Sequence, residues 1–192
     1  MPRISAPTVA EHRVRQRDAL LNAATEILVA DGLPAVTPAS VGAAAGLARS
    51  SVYQYFDSSA ALLAAIVEAA FPPADAAILR AVDAAPDPAA KVDAYVRAVL
   101  RLAADGTYRP GAVLAAAELP GACRARLDEL YDRQALPLAG AVSELGVTDP
   151  ALTVRLVRGA LRAAVDAVDG GASVRSVTRR TLDFVRAALG TG

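Results

Sequence analysis

Aromatic side chains are scarce: five tyrosines, three phenylalanines and no tryptophan in 192 residues. So few rings argue against a broad stacking cavity for a large planar ligand and favour a modest aliphatic one. The single cysteine, Cys123, excludes an internal disulfide. It is expected to be a small buried hydrophobe, not a redox sensor. The one histidine, His12, lies far from it in the chain, and neither Gly-x-Ser-x-Gly nor Gly-x-x-x-x-Gly-Lys occurs. No nucleophile, metal or phosphate-loop constellation can be composed from these residues, so no enzymatic activity, metal or cofactor is expected.

Also missing is a run of about 18 uninterrupted apolar residues, the length that spans a bilayer. This holds although 54% of the chain is hydrophobic and the mean hydropathy is +0.34. The longest uncharged stretch, residues 32–48, is interrupted by Pro34, Thr37, Pro38, Ser40 and glycines. Neither a membrane-spanning helix nor a secretory leader is expected, and the expected location is the cytoplasm. An excess of charge is absent too, because 20 basic and 20 acidic side chains cancel. Whole-chain charge therefore points to no nucleic-acid partner. Its distribution says more: residues 1–17 carry Arg3, Arg13, Arg15 and Arg17 against Glu11 alone.

What the chain has in abundance is alanine, the best helix former, spaced between charged residues. No segment alternates with period two, and the expected class is all-α. After a loose arm over the first ten residues, with Pro2 and Pro7, a helix is expected from 11 to 30, with Leu20, Ala24, Ile27 and Leu28 on one face. Asp31-Gly32 stops it. Thr37-Pro38 starts a second, short helix by capping with a hydroxyl and placing proline at the first position. It runs to about 45, Gly46-Leu47 turns the chain, and a third covers about 49–56. Asp57-Ser58 caps a fourth, which Pro72-Pro73 must break or kink near Phe71. Further helices are expected at 74–84, 89–105, 111–118, 121–145, 151–169 and 174–189, punctuated by Gly, Pro and Asp. Pro137 makes 121–145 either bent or two helices.

Two short helices about a glycine turn form a unit whose second member can lie in the DNA major groove. Gly42 and Ala45 permit close approach. Val41, Leu47, Val52 and Phe56 point inward, leaving Arg49, Ser50, Tyr53 and Gln54 to offer a guanidinium, a hydroxyl, a phenol and an amide to phosphates or base edges. The stretch Ala45-Gly46-Leu47, then Val52-Tyr53-Gln54-Tyr55-Phe56, then Ser58 and Leu62-Leu63, preceded by the 23–33 helix and its stop, resembles the fingerprint of the tetracycline-repressor (TetR/AcrR) family. The likeness covers about residues 12–65.

That resemblance implies an N-terminal three-helix helix-turn-helix DNA-binding domain, residues 1–57, and a C-terminal helical domain, 58–192, for effector binding and dimerisation. It implies a transcription regulator, by default a repressor, bound as a homodimer to a palindromic operator and released by a small molecule. Thr37, Arg49, Ser50, Tyr53 and Tyr55 occupy positions that commonly touch DNA, and Ser51 and Gln54 share the segment. Two departures stand out. Ala48 replaces the frequent serine cap before the recognition helix, and Ser59 replaces a phosphate-binding lysine, although its hydroxyl at a helix N-terminus can still accept a phosphate. Arg13, Arg15 and Arg17 are expected to compensate on the DNA backbone or minor groove.

For the effector, the candidates are Tyr95, Leu102, Tyr108, Leu114, Glu118, Cys123, Leu127 and Tyr131. For the dimer, apolar faces of 151–169 (Leu152, Leu156, Leu161, Val165, Val168) and 174–189 (Val177, Leu182, Val185, Leu189) would form a two-fold four-helix bundle, or else pack within one chain. A different reading is a helical small-molecule-binding or scaffold protein with weakened DNA binding, which the serine at position 59 favours.

Overall fold

The computed structural model describes residues 9–190, which are helical with no strand among them. The expected loose arm of residues 1–10, with Arg3, falls outside the described residues except at its end, where Val9 and Ala10 already belong to the first helix. Eleven α-helices follow one another: α1 (Val9–Asp31), α2 (Pro38–Ala44), α3 (Arg49–Val52), α4 (Ser59–Ala69), α5 (Pro72–Asp83), α6 (Pro88–Ala104), α7 (Arg109–Ala116), α8 (Gly121–Gln134), α9 (Leu136–Glu144), α10 (Pro150–Asp169) and α11 (Val174–Leu189). A single 3-10 turn, Leu33–Ala35, joins α1 to α2.

The helix starts are written in side chains that bind otherwise orphaned amides. Ser58 accepts from the Ala61 amide, Asp87 from Ala90 and Asp149 from Leu152, opening α4, α6 and α10. Proline marks other starts. Pro72 and Pro73 are the first residues of α5, so they open a new helix at a position where their missing amides are not needed. At Pro137 the expected 121–145 helix is two, α8 and α9.

Chain contacts group the residues into two compact units: residues up to Ala70 with Pro110–Arg124, and Phe71–Arg109 with Ala125 onward. By this grouping α4 goes with the helices that precede it. The first unit buries Leu20, Ala24 and Leu28 of α1 with Val41, Val52, Phe56, Leu62 and Ile66. The second is organised on α6, whose Val92, Val96, Val99 and Leu100 share one core with Ile78 and Val82 of α5, Leu138 and Val142 of α9, Val157 and Leu161 of α10, and Leu182 and Val185 of α11.

By length and composition alone, residues 59–83 would suffice to cross a membrane. The helix is interrupted between Ala69 and Pro72, and most of its large apolar side chains face the cores, Leu62, Ile66 and Val67 in the first unit and Phe71, Ile78 and Val82 in the second, while Leu79 is half exposed. Glu68, Asp75, Arg80 and Asp83 interrupt its apolar character. That is the pattern of two amphipathic core helices.

Candidate functional site

The α2–α3 unit is assembled from local signals. Thr37 caps α2 reciprocally with Ser40: the Ser40 amide donates to the Thr37 hydroxyl at 3.1 Å, and the Thr37 amide donates to the Ser40 hydroxyl at 3.0 Å. Gly46 turns the chain at φ +70°, where a side chain would be strained. Gly42 sets the separation of the two helices, because a Cβ there would meet the Leu47 carbonyl oxygen at 2.9 Å and Val52 Cγ2 at 3.0 Å. Val41, Val52 and Phe56 are buried as expected, and Leu47 is half-buried.

The recognition helix is shorter than the expected 49–56. Only Arg49–Val52 is α-helical, and Ala48 supplies no side-chain cap. Beyond Val52 the backbone tightens: the Gln54 amide donates to the Ser51 carbonyl at 3.1 Å and the Tyr55 amide to the Val52 carbonyl at 3.0 Å. Phe56 pulls this turn into the core, which ends the helix before its full expected length.

Thr37, Arg49, Ser50, Tyr53, Gln54 and Ser59 are all exposed, whereas Ser51 and Tyr55 are half-buried. The exposed phenol of Tyr53 is held below the usual tyrosine pKa by its neighbours, the Arg49 guanidinium contributing most and the Ser59 hydroxyl next.

The arginines at 13, 15 and 17 are residues of α1, in keeping with the expected helix from 11 to 30. Arg13 donates to the Gln54 carbonyl at 2.9 Å and lies 5.7 Å from the centre of the Tyr55 ring. Arg17 lies 5.4 Å from the centre of the Phe56 ring. Arg15 reaches only the Glu11 carbonyl of its own helix, at 3.4 Å.

Of the eight effector candidates, the second unit brings together three tyrosines. Tyr108 donates to the Gln134 side-chain carbonyl, the Tyr95 hydroxyl lies 3.5 Å from the Gln134 backbone carbonyl, and the Gln134 amide donates to the Asp75 carboxylate at 2.7 Å. Tyr131 meets Phe71 edge to face with ring centres 4.9 Å apart. Burial pushes Tyr95 up to about 12, and it raises Tyr108 still further, aided by Tyr95, Tyr131 and Asp75 nearby. Asp75, Gln134 and Arg158, whose charge also reaches both tyrosines, were missed in the sequence. A glutamine just ahead of the α8–α9 break was the one signal available. Leu102 belongs to the α6 core and Leu127 is fully buried, while Leu114, Glu118 and Cys123 belong to the first unit. Glu118 is exposed.

The expected dimer face needs correction. Leu161, Val165, Leu182 and Val185 are buried in the chain's own core, and Val168, Val177 and Leu189 are packed against it. The first four are covered within the chain, while Val168, Val177 and Leu189 are half-buried. Leu152 (42% exposed) and Leu156 (62%) remain outside, and Phe184 (60%), which the sequence reading overlooked, joins them as an exposed residue of these helices.

The glycine-turned helix pair, with a guanidinium, hydroxyls, a phenol and an amide on its exposed side, has the form of a helix-turn-helix unit. Residues 20–66 match the model of the bacterial regulatory proteins of the tetR family. That match covers the α2–α3 unit and parts of the helices on either side of it, about a quarter of the chain. Comparison with curated proteins returns no match. Solved structures share the fold at low identity. A TetR-like transcriptional regulator from Rhodococcus sp. RHA1 has TM-score 0.78 at 20% identity, covering 97% of this chain and 100% of that one. A TetR-family regulator from Streptomyces coelicolor has TM-score 0.79 at 19% identity, covering 92% and 95%. AibR, solved with isovaleryl coenzyme A and operator DNA, has TM-score 0.72 at 17% identity, covering 88% and 97%.

Proposed function

We propose that this protein is a DNA-binding transcription regulator of the tetR type, a repressor that binds a palindromic operator as a homodimer and is released by a small-molecule effector. The observation that carries the reading is the exposed row of Thr37, Arg49, Ser50, Tyr53 and Gln54 on a helix pair whose spacing Gly42 fixes. With Ser51 and Ser59 these groups can bind phosphates and base edges. A two-fold dimer presents one such row to each half-site, hence the palindrome. Leu152, Leu156, Val174 and Phe184 are the large apolar residues of α10 and α11 that the chain itself leaves exposed, and they are assigned to the partner.

In functional terms the division is residues 1–57 for DNA and 58–192 for effector and dimer. The effector is assigned to the cluster of Tyr95, Tyr108 and Tyr131 about Gln134 and Asp75. This set suits a ligand with a polar group more than the purely aliphatic one expected from composition. A ligand that favours one arrangement of the C-terminal helices would alter the separation of the paired reading heads and so their fit to DNA. AibR, with its thioester ligand and operator, is a structural precedent for a protein of this fold binding both.

Selection from random duplexes at low salt tests the reading. The expected result is a two-fold symmetric consensus, bound with a salt dependence kept shallow by the few cationic contacts and lost in Arg49→Ala combined with Tyr53→Ala. Failure to enrich any duplex would overturn it and leave the second reading, a helical binding protein with weakened DNA affinity, which the serine at position 59 favours. An effector that leaves operator affinity unchanged would refute the release mechanism alone.

A further inference from the structure

The recognition segment is poorly equipped to hold itself. Four α-helical residues are too few for a self-supporting helix, since nucleation fixes several dihedrals for each early hydrogen bond. No side chain caps its start. Carbonyls in its last turn lack partners within the helix, as at any helix end. Yet Tyr53 and Gln54, two of its reading groups, lie just past that end.

From α1, two arginines one helical turn apart reach this weak point. The Arg13 guanidinium donates to the Gln54 carbonyl at 2.9 Å and lies against the Tyr55 ring, while that of Arg17 lies against the Phe56 ring. Satisfying a terminal carbonyl while resting on an aromatic face suits a planar guanidinium, which combines donors in its plane with a face that stacks; an ammonium has no such plane. Arg15, on the same helix, makes no contact of this kind.

We propose that Arg13 and Arg17 are positioning residues that clamp the turn Tyr53–Phe56 and thereby set Tyr53 and Gln54 for base and phosphate contact, and that they are not themselves the phosphate contacts their charge suggests. The clamp acts on carbonyl groups at the end of the segment opposite to the missing cap at Ala48. The inference rests on the DNA-binding reading for its consequence, but the clamp itself can be tested without DNA.

The deciding variant conserves charge: Arg13→Lys with Arg17→Lys in the full-length chain. Amide hydrogen exchange of the free protein is expected to accelerate at Tyr55 and Phe56, whose amides donate to Val52, while exchange in the α6 core stays unchanged. On the selected operator, affinity should fall about five- to tenfold, the scale of two modest side-chain contacts. The slope of log affinity against log salt should stay that of the unaltered protein. Tyr55→Leu, which removes the ring beneath Arg13, should reproduce part of the exchange effect with both arginines in place.

The proposal is overturned if the double lysine variant retains both slow exchange and affinity. It is also overturned if Arg13→Met with Arg17→Met makes the salt slope shallower by about one or more, the mark of lost phosphate contacts. If the unaltered protein binds no duplex, the DNA-binding reading fails while the exchange measurement still decides the clamp.

Discussion

The α2–α3 pair and the α10–α11 pair are both helical hairpins, yet they are specified in opposite ways. In the first, short-range chemistry fixes nearly everything: a Thr37–Ser40 capping box, proline at the start, a left-handed Gly46, and a Gly42 that brings the helices close. In the second, the helices are long and strongly two-sided, and the adjacent residues say only that they are helices. Which apolar residues face inward is decided by α6, against which Leu161, Val165, Leu182 and Val185 are buried. Local signals thus specify a helix pair whose separation is narrowly set. Bulk burial specifies a body that tolerates variation within its faces.

The strongest test of this contrast is Leu100→Ala, at a fully buried position on α6. A loss of about 2–5 kcal/mol is expected from the transfer and cavity costs together. Urea unfolding followed by circular dichroism reads it, and a loss well below about 1 kcal/mol would show that α6 does not organise the second unit.

Paired glycine substitutions sharpen the comparison. Gly42→Ala should destabilise by about 1–3 kcal/mol, because the backbone carbonyl of Leu47 cannot move aside as a side chain could. Gly140→Ala, on α9 with nothing near its would-be Cβ, should stabilise by up to about 1 kcal/mol through helix propensity. The same sign for both would erase the distinction between a close approach and an open helix surface.

Gln134→Ala removes the hub of the buried polar cluster, stranding the Tyr108 hydroxyl and leaving the Asp75 carboxylate without this partner. The expected cost is about 1–3 kcal/mol. Effector binding should weaken with it; an unchanged ligand response in Gln134→Ala would move the effector site elsewhere.

Thr37→Ala probes the local mode of specification and should cost about 1 kcal/mol, with operator binding weakened at the same time. An unaffected melting temperature would mean that packing, not the cap, holds α2.

The smallest effect near neutrality is on titration. Tyr95 has its pKa raised to about 12, whereas an unfolded tyrosine ionises near pH 10. The unfolded chain therefore releases this proton first. The contribution is intact below about pH 10 and is lost as pH rises toward about 12. In Tyr95→Phe the unfolding free energy should fall less steeply across that window, and parallel curves would contradict the burial of this phenol.

Much of this was legible in the residues because it is local. The helix starts at Thr37, Ser58, Asp87 and Asp149, and the turn at Gly46, follow from side chains within three or four positions of the backbone groups they serve. The recognition helix read as too long because its end is set by Phe56 entering a core that α1 and α4 complete. The dimer face was misassigned for a related reason: periodicity shows that α10 and α11 have apolar sides but not how many neighbours will cover them. Asp75 and Gln134 went unnoticed because they meet across 59 positions, and no spacing rule connects them.

By itself, then, the sequence determined the all-α class, the helix starts and the glycine-turned reading unit, since caps, prolines and left-handed glycines act within a turn of chain. Only the tertiary structure decided that Arg13 and Arg17 lie against the recognition turn, that three tyrosines gather about Gln134, and that Leu152, Leu156, Val174 and Phe184 are the large apolar residues of α10 and α11 left outside. Each of these depends on which distant segments exclude water from one another, and burial is a property of the assembled chain, not of any window within it.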